Sequence, residues 1–306
     1  WGAPNTAVSS ADAADLGALE DWFDVVVTDA PCSGEGLFRK DADAIREWSP
    51  SAVEMCAGRQ RRILASAVAA LAPGGVLIYS TCTYNRDEND LNAAWVAREM
   101  ELDLLRLDLP AAWNIVETEY GYQFFPHRLR GEGFFMAVFR KKEAPARKHS
   151  PAAGFKNLRP IPKNQVPEAA GWLQPDVGLR YFQTPSGEIM ALPASLENDY
   201  LVLEKHLKTK WFGTNIGEFK GKDFIPGHAL AMSLLINPGL PGIELGREQA
   251  QLFLKKETFE RTADMANGWV LAKYQGFNLG WLKVLPNRLN NYLPPERRIR
   301  MELGEG

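Results

Sequence analysis

The chain has 306 residues, of which 45% are hydrophobic and 24% charged, and its formal net charge is −3. This length and composition predict two or three soluble domains with real cores. No apolar run approaches the roughly 18 residues that cross a bilayer, and there is no signal peptide, so we expect no membrane partner. The three cysteines are too few for a disulfide framework and wrongly spaced for a structural zinc site, which predicts a metal-free protein of the reducing cytoplasm.

The first predicted elements alternate between strand and helix. Residues 23–29 (FDVVVTD) have the β-branched pattern of a buried parallel strand that ends in an acid. Helical spacing follows over residues 50–72, with Ser49 as cap and Pro50 in the first turn. Residues 76–81 (VLIYST) predict the next strand, and residues 87–100 another amphipathic helix.

Two further strands are predicted over residues 102–109 (LDLLRLDL) and 134–141 (FFMAVFRK). Alternating strands and helices indicate a doubly wound parallel sheet, here with a late antiparallel edge. Ligands of such sheets bind at the carboxyl ends of the strands. Asp29 and Cys82 both lie just past a predicted strand end, where this rule places the chemistry.

The composition changes after residue 142. Residues 143–168 are rich in proline and charge and predict a linker. Residues 169–224 contain two strand-like pieces (LRYFQ and EIMAL) and a leucine-rich segment, which predict a small α+β domain. In residues 225–306, we expect helices at His228–Leu235 and Arg247–Leu254, and then two strands around Gln275-Gly276, within residues 268–285.

Two cysteine motifs follow neighbouring predicted strands. They are DAPCSGEG (29–36) and STCTY (80–84), about 50 residues apart. A single cysteine after a strand is usually a small structural residue. Two of them at neighbouring strand ends, with Asp29 close to Cys32, favour a functional site. Cys56 lies mid-helix at an apolar position and is predicted to pack in the core.

Three segments together resemble the RNA 5-methylcytosine methyltransferases of the Sun/Nop family, most closely the bacterial branch called 16S rRNA methyltransferase F. They are DAPCSGEGLFRKD (29–41), YSTCTYNRDEND (79–90) and PHRLRGEGFFMAVFRK (126–141). The resemblance covers nearly the whole chain. It implies an α/β fold with a Rossmann-like class I methyltransferase sheet, incomplete at its N-terminus, in residues 1–142. The small α+β domain and a PUA-like β-barrel domain would follow.

The resemblance also implies the reaction and the residues that perform it. A methyl group would pass from S-adenosylmethionine to carbon 5 of a cytosine in RNA, through a covalent adduct with a cysteine. Cys82 would be the nucleophile that adds to carbon 6, and Cys32 would assist collapse of the adduct. Asp29 would face both cofactor and base and hydrogen-bond ring nitrogen 3 as charge develops there.

Two cofactor acids are implied by the same resemblance. Asp12 fits the family's third cofactor acid, because a carboxylate can accept a hydrogen bond from the adenine amino group. Asp29 is the second. The family's glycine-rich loop and its earlier acid are not visible in this sequence. We therefore expect the amino-terminal RNA-binding part and the first half of the nucleotide fold to lie outside this chain.

Several basic residues near these motifs are candidates for binding RNA. Arg39 and Lys40 follow the first motif directly and are predicted to hold a phosphate near the flipped nucleotide. A structural salt bridge to Asp41 or Asp43 is the alternative. His127 is a further candidate, and an ordinary loop histidine is the alternative there.

The last 80 residues resemble the PUA-like RNA-binding module of the same branch. Lys283, Arg288, Arg297 and Arg298 are predicted to contact RNA phosphates there. The aromatic residues of this region have an ordinary structural alternative, the filling of a small barrel, and for each of them this is the favoured interpretation: Trp269, Phe277 and Trp281.

The charges are distributed unevenly along the chain, so a negative net charge does not exclude RNA as a partner. Residues 1–30 contain six acidic and no basic residues, whereas residues 269–300 contain six Lys or Arg against one Glu. The main hypothesis is methylation of ribosomal RNA of the small subunit by a monomer. The alternatives are the same chemistry on transfer RNA, or a non-catalytic role in RNA binding or ribosome assembly.

Overall fold

The architecture is taken from a computed structural model, which describes residues 2–145, 147–261 and 265–301. The α-helices of these residues are α1 (Ala13–Gly17), α2 (Ala42–Glu47), α3 (Pro50–Ala70), α4 (Asp90–Glu99), α5 (Val166–Gly171), α6 (Glu197–His206), α7 (His228–Ala231) and α8 (Arg247–Leu254). The strands are β1 (Ala7–Ser9), β2 (Phe23–Asp29), β3 (Leu71–Thr81), β4 (Asp103–Leu104), β5 (Val116–Glu117), β6 (Tyr122–Phe124), β7 (Phe134–Arg140), β8 (Arg159–Pro160), β9 (Leu179–Gln183), β10 (Glu188–Pro193), β11 (Thr209–Phe212), β12 (Thr214–Lys220), β13 (Asp223–Pro226), β14 (Gly242–Glu244), β15 (Gly268–Tyr274), β16 (Phe277–Leu285) and β17 (Arg288–Asn291).

The described chain forms two compact units. One consists of residues 10–150 together with 206–208, and the other of residues 2–9, 151–205 and 209–301. Within the described residues, no helix is long and apolar enough to span a membrane.

The first unit is built on one mixed sheet. Its strand order is β2-β3-β7-β6-β5, and the short strand β4 also pairs with β7. β2 and β3 are parallel, whereas β7 runs antiparallel to β3. The predicted α/β class, with a parallel start and a late antiparallel edge, is therefore confirmed. The core between this sheet and helices α3 and α4 contains Leu64, Leu77, Val96, Phe135 and Phe139.

Helix α3 begins and ends close to its predicted limits. The Ser49 hydroxyl accepts the backbone N–H of Ala52 at 3.1 Å, and Pro50 occupies the first turn. Among the apolar residues of α3, Leu64 and Val68 are buried, but Met55 is 69% exposed. The strand that follows begins at Leu71, five residues before its predicted start.

The strand predicted over residues 102–109 is wrong for most of its length, because its strand consists of Asp103 and Leu104 alone. One further hydrogen bond to β7 follows, from the Leu105 N–H to the carbonyl oxygen of Val138 at 2.8 Å. Leu102 is the one residue of this run that the structure buries. Beyond it, the Arg106 guanidinium donates to the backbone carbonyl oxygen of Thr118 at 3.0 Å, and the chain leaves the sheet.

The second unit contains two sheets, in which most strand pairs are antiparallel, and a two-stranded ribbon. The sheets have the orders β13-β12-β10-β9-β8 and β14-β15-β16-β17, and β1 pairs with β11. The predicted strands LRYFQ and EIMAL, and the two strands around Gln275-Gly276, are confirmed. The helix predicted over His228–Leu235 is shorter than expected and ends at Ala231. After its end, the N–H of Leu235 donates to the Ser233 hydroxyl and not to a helical carbonyl oxygen.

Candidate active site

The candidate site lies where β2 and β3 end. These strands are adjacent and parallel, and their register places Asp29 beside Ser80. Cys82 follows β3 by one residue, and Cys32 follows β2 by three. The structure therefore brings together Asp29 and Cys32, which follow β2, and Cys82, which follows β3.

The two cysteines contact each other. The backbone N–H of Cys82 donates to Sγ of Cys32 at 3.2 Å, and both side chains are half-buried. A hydrogen bond from the Cys32 thiol lowers the pKa of Cys82 to about 7, against the opposing effects of burial and of nearby Asp29. The same hydrogen bond, together with burial, raises the pKa of Cys32 far above its ordinary value. At neutral pH, Cys82 is therefore partly ionised to the thiolate, while Cys32 stays a protonated thiol.

Asp29 stands at the mouth of the site. Its side chain is exposed, and its Oδ1 accepts a hydrogen bond from the Ser80 hydroxyl at 3.2 Å. The remaining lone pairs of this carboxylate face solvent and can accept a hydrogen bond from a ligand.

The loop after Cys32 approaches the backbone of Cys82 closely. The N–H of Gly36 donates to the carbonyl oxygen of Cys82 at 2.9 Å. A Cβ atom at Gly36 would lie 2.7 Å from that oxygen and 2.5 Å from the carbonyl oxygen of Gly133. Gly34 adopts a φ of 76°, in the left-handed region that favours glycine. Any side chain at position 36 would therefore displace this loop from Cys82.

A buried carboxylate, that of Glu88, is hydrogen-bonded to the same loop. Glu88 is fully buried, and its Oε2 accepts the Ser33 N–H at 3.0 Å and the Gln60 side-chain amide at 2.8 Å. Burial raises the pKa of Glu88, and these hydrogen bonds partly oppose that effect. Glu88 therefore links the loop of Cys32 to helix α3.

Further buried polar groups surround this carboxylate. The Tyr79 hydroxyl donates to the backbone carbonyl oxygen of Glu88 at 2.6 Å. The Asn89 amide donates to the carbonyl oxygen of Thr83 and to Oε1 of Gln123, both at 3.0 Å. Sequence reasoning missed these residues. The acidic and Asn positions of the motif YSTCTYNRDEND were the available signal, since buried polar residues need partners.

Glu35 fixes the other side of the loop. Its carboxylate accepts from the Trp48 indole N–H at 2.9 Å and from the backbone N–H of Tyr84 at 3.2 Å. The first cysteine motif is thus hydrogen-bonded to the second through both backbone and side chains.

Cys56 lies apart from this pair on helix α3. It is half-buried, and burial raises the pKa of its thiol. It does not belong to the buried core cluster of this unit, so the prediction of core packing is wrong in that respect. Cys56 is only half-buried because it lies on α3 next to Met55, whose side chain faces solvent.

The predicted RNA-contacting residues of this unit lie on its surface. The Arg39 guanidinium pairs with Glu132 at 3.1 Å, not with the aspartates that the sequence suggested. Asp41 instead caps α2, and Asp43 pairs with Arg46 at 2.9 Å. Two further candidates are exposed, Lys40 and His127, and the His127 ring lies 5.3 Å from that of Phe125.

The candidates of the second unit lie on and beside the sheet of β14–β17. The Lys283 ammonium lies 5.0 Å from the centre of the Trp269 ring. Arg288, Arg297 and Arg298 are exposed. Of the aromatic residues predicted to fill this region, Trp281 is buried as expected, whereas the prediction for Phe277 is wrong because its side chain is 76% exposed at the tip of the hairpin.

Asp12 caps helix α1. Its Oδ1 accepts the N–H of Ala14 at 3.0 Å, and its backbone N–H donates to Asp15. The side chain is exposed, so its second oxygen can accept from a ligand, and Asp12 and Asp29 fit the acceptors that an adenosyl group requires. Across the described ranges, no cluster of three His, Cys, Asp or Glu side chains is arranged to bind a metal ion.

Comparisons with known proteins give matches to both units. Residues 2–140 match the family model described as 16S rRNA methyltransferase RsmB/F, and residues 241–299 match the one described as Methyltransferase RsmF PUA domain. Ribosomal RNA small subunit methyltransferase F of Escherichia coli is 32% identical over 308 residues, which cover 96% of this chain and 63% of the relative. The protein of the same name from an Enterobacter species is 33% identical and covers 96% and 62%, respectively.

Among solved structures, the chain is similar to NSun6 from Pyrococcus horikoshii with SFG. The identity is 28%, the match covers 44% of this chain and 34% of that chain, and the TM-score is 0.37. The chain spans slightly less than two thirds of the length of the curated relatives it matches.

Proposed function

Since the chain belongs to the RsmB/F family of 16S rRNA methyltransferases, we propose that it methylates carbon 5 of a cytosine in RNA of the small ribosomal subunit. The methyl donor would be S-adenosylmethionine, and the reaction would pass through a covalent adduct between Cys82 and the base. The observation that carries this proposal is the contact between Cys82 and Cys32 at the end of two parallel strands, beside Asp29.

The lowered pKa of Cys82 suits the first step. Its thiolate adds to carbon 6 of cytosine, which breaks the ring's aromaticity and moves electron density to carbon 5. Asp29 accepts a hydrogen bond from ring nitrogen 3 as that atom becomes protonated. S-adenosylmethionine, when bound, supplies an electrophilic methyl group to carbon 5, and the exposed carboxylates of Asp12 and Asp29 would hold its polar groups.

Cys32 is placed to act in the second half of the reaction. Once the sulfur of Cys82 is bonded to carbon, it no longer carries the negative charge that raises the pKa of Cys32. Cys32 then releases its own proton to solvent more readily, and its thiolate accepts the proton of carbon 5. Loss of that proton restores the double bond and expels the Cys82 thiolate.

Arg39, Lys40 and His127 are proposed to contact RNA near the target base, and Lys283, Arg288, Arg297 and Arg298 to contact phosphates from the second unit. The exposure and positive charge of Lys40 and of the four arginines support these assignments, while His127 is exposed and Lys283 is half-buried.

Bisulfite sequencing of ribosomal and transfer RNA from a deletion strain tests the proposed function. We expect one or more 5-methylcytosines of small-subunit rRNA to disappear and to return with the wild-type gene but not with Cys82→Ala. Loss of a transfer RNA site instead would move the substrate to that class. An unchanged methylation pattern in both RNAs would overturn the proposal.

A further inference from the structure

A cationic pocket lies beside the candidate active site and has no assigned ligand. It has a volume of about 430 Å³ and is lined by Arg39, Pro126, His127, Arg128, Leu129, Arg130 and Gly131. Three guanidinium groups and one imidazole thus share one concave surface. Neither Arg128 nor Arg130 forms an ion pair with any residue that the structure describes, and both are exposed.

Two backbone hydrogen bonds attach this pocket to the nucleophile. The N–H of Gly36 donates to the carbonyl oxygen of Cys82 at 2.9 Å, and the N–H of Gly133 donates to that of Gly36 at 3.4 Å. Arg39 follows the first of these glycines, and its guanidinium donates to the carbonyl oxygen of Gly131 at 3.3 Å. The pocket is therefore held at a fixed position relative to Cys82.

A row of rings connects the same two places. The Tyr84 ring, two residues after Cys82, stacks on Phe125 with centroids 5.5 Å apart and an interplanar angle of 14°. His127 lies against the other end of this row, 5.3 Å from Phe125. Because His127 is exposed, its ring offers a surface at the rim of the pocket.

We propose that the cationic pocket binds the phosphate of a nucleotide that flanks the target cytidine, with Arg128 and Arg130 as its main ligands and His127 beneath the neighbouring base. This inference rests on the proposed function and adds a substrate subsite to it. Single-stranded RNA is recognised by stacking of splayed bases on aromatic rings and by basic groups that follow the backbone. Arg39 has a smaller share, since it also pairs with Glu132.

The chemistry of the lining favours a phosphate. Guanidinium groups donate paired hydrogen bonds that match phosphate oxygens, and no carboxylate lines the pocket itself. A flipped nucleotide turns about its backbone into the active site, so its flanking phosphates lie close to that site.

The test uses an oligoribonucleotide that contains the cytidine found by bisulfite sequencing, and a second one with a neutral methylphosphonate at a flanking phosphate. Binding is measured by fluorescence anisotropy at several KCl concentrations. We expect the Arg128→Gln,Arg130→Gln variant to reduce the slope of log affinity against log salt by about 0.7 for each phosphate that it no longer neutralises. Arg62→Gln, an exposed arginine of α3 outside the pocket, should leave the slope unchanged.

The methylphosphonate separates this subsite from general electrostatics. It should weaken binding to the wild-type protein at one of the two flanking positions and cause no further loss in the double variant. His127→Ala should weaken binding while keeping the salt slope. An unchanged slope in the double variant, or an equal loss from the methylphosphonate in both proteins, would overturn the inference. If the wild-type protein binds this RNA but does not methylate it, the proposed function fails and the binding data still decide the subsite.

Discussion

At the scale of single residues, the ionisation of Cys82 depends most strongly on one neighbour, Cys32. The hydrogen bond from the Cys32 thiol is the largest cause that lowers the pKa of Cys82. Burial and the charges of Asp29 and Glu88 act in the opposite direction. Removal of the Cys32 thiol should therefore leave only the opposing effects and the backbone contribution.

Cys32→Ala should raise the pKa of Cys82 from about 7 to at least its ordinary range near 8.5. Iodoacetamide reacts with the thiolate, and a higher pKa leaves less thiolate at pH 7. Alkylation at pH 7 should therefore slow roughly tenfold or more, and the midpoint of its pH dependence should shift to higher pH. The measurement is the pH dependence of Cys82 alkylation in a Cys56→Ala background. Cys32→Ser, which keeps a hydrogen-bond donor, is the matched control, and identical profiles for wild type and Cys32→Ala would disprove this account.

The same cysteine gives a second prediction. If Cys32 accepts the carbon 5 proton, Cys32→Ala should accumulate protein covalently joined to RNA, visible as a slow band on a denaturing gel. Cys32→Ala,Cys82→Ala should show no such band, because the nucleophile is absent. A band that survives in the double variant would mean that another residue makes the bond.

Glu88 gives a prediction about stability. Glu88→Ala leaves the Ser33 N–H and one N–H of the Gln60 amide without their acceptor, which should cost about 1 to 3 kcal/mol for the buried Gln60 donor and less for the half-buried Ser33 N–H. Glu88→Gln keeps an acceptor oxygen and should cost less in urea unfolding. It also removes a charge that raises the pKa of Cys82, so the alkylation midpoint should fall in this variant.

The pH dependence of that stability has a definite sign. The folded-state pKa of Glu88 is raised above the unfolded value of 4.5, so its contribution is fully present below pH 4.5 and is lost as pH rises through the folded pKa. Glu88→Gln should lack this decline. A wild-type protein that gains stability relative to Glu88→Gln over this rise in pH would contradict the role of burial at Glu88.

At the scale of elements, the predicted strands held where the hydrophobic pattern was supported by pairing. The strands at 23–29, 134–140 and 179–183 were predictable because β-branched and aromatic residues cluster there. The strand prediction for LDLLRLDL is wrong because its alternation resembles that of a strand, whereas the backbone contacts with β7 end at Leu105. Pairing partners are set by tertiary contacts, which a local pattern does not contain.

The sheet of β14–β17 gives the fourth prediction. Lys283, Arg288, Arg297 and Arg298 take part in none of the ion pairs that the structure describes. Reversing their charge should therefore lower the slope of log RNA affinity against log salt by roughly 0.7 to 0.9 for each phosphate that is no longer bound. The turnover rate at saturating RNA should stay nearly unchanged. An intact salt slope with a lower melting temperature would show that these residues brace the fold instead.

At the scale of the whole molecule, the sequence motifs were sufficient to identify the family, which the comparisons confirm. They were also sufficient to place Asp29, Cys32 and Cys82 at one sheet edge, because the carboxyl ends of adjacent parallel strands meet there. The domain boundaries after residues 142, 168 and 224 stay a prediction.

Long-range contacts were beyond the sequence argument. β1 pairs with β11 some 200 residues away, and the buried bonds of Glu88 join segments that are far apart in the chain. Such partners depend on the packing of the folded chain, for which neither periodicity nor residue spacing gives a local signal. The same holds for the pocket beside Cys82, because residues 126–131 reach Arg39 only in the folded state.

The central claim is a covalent bond between Cys82 and a cytosine of RNA. The direct measurement is peptide mass spectrometry of the protein after incubation with S-adenosylmethionine and RNA in which cytidine is replaced by 5-fluorocytidine, which prevents loss of the carbon 5 substituent. We predict one stable adduct, on the peptide that contains Cys82, and none in Cys82→Ala. An adduct on Cys32 or elsewhere, or efficient methylation of ordinary RNA by Cys82→Ala, would contradict this account.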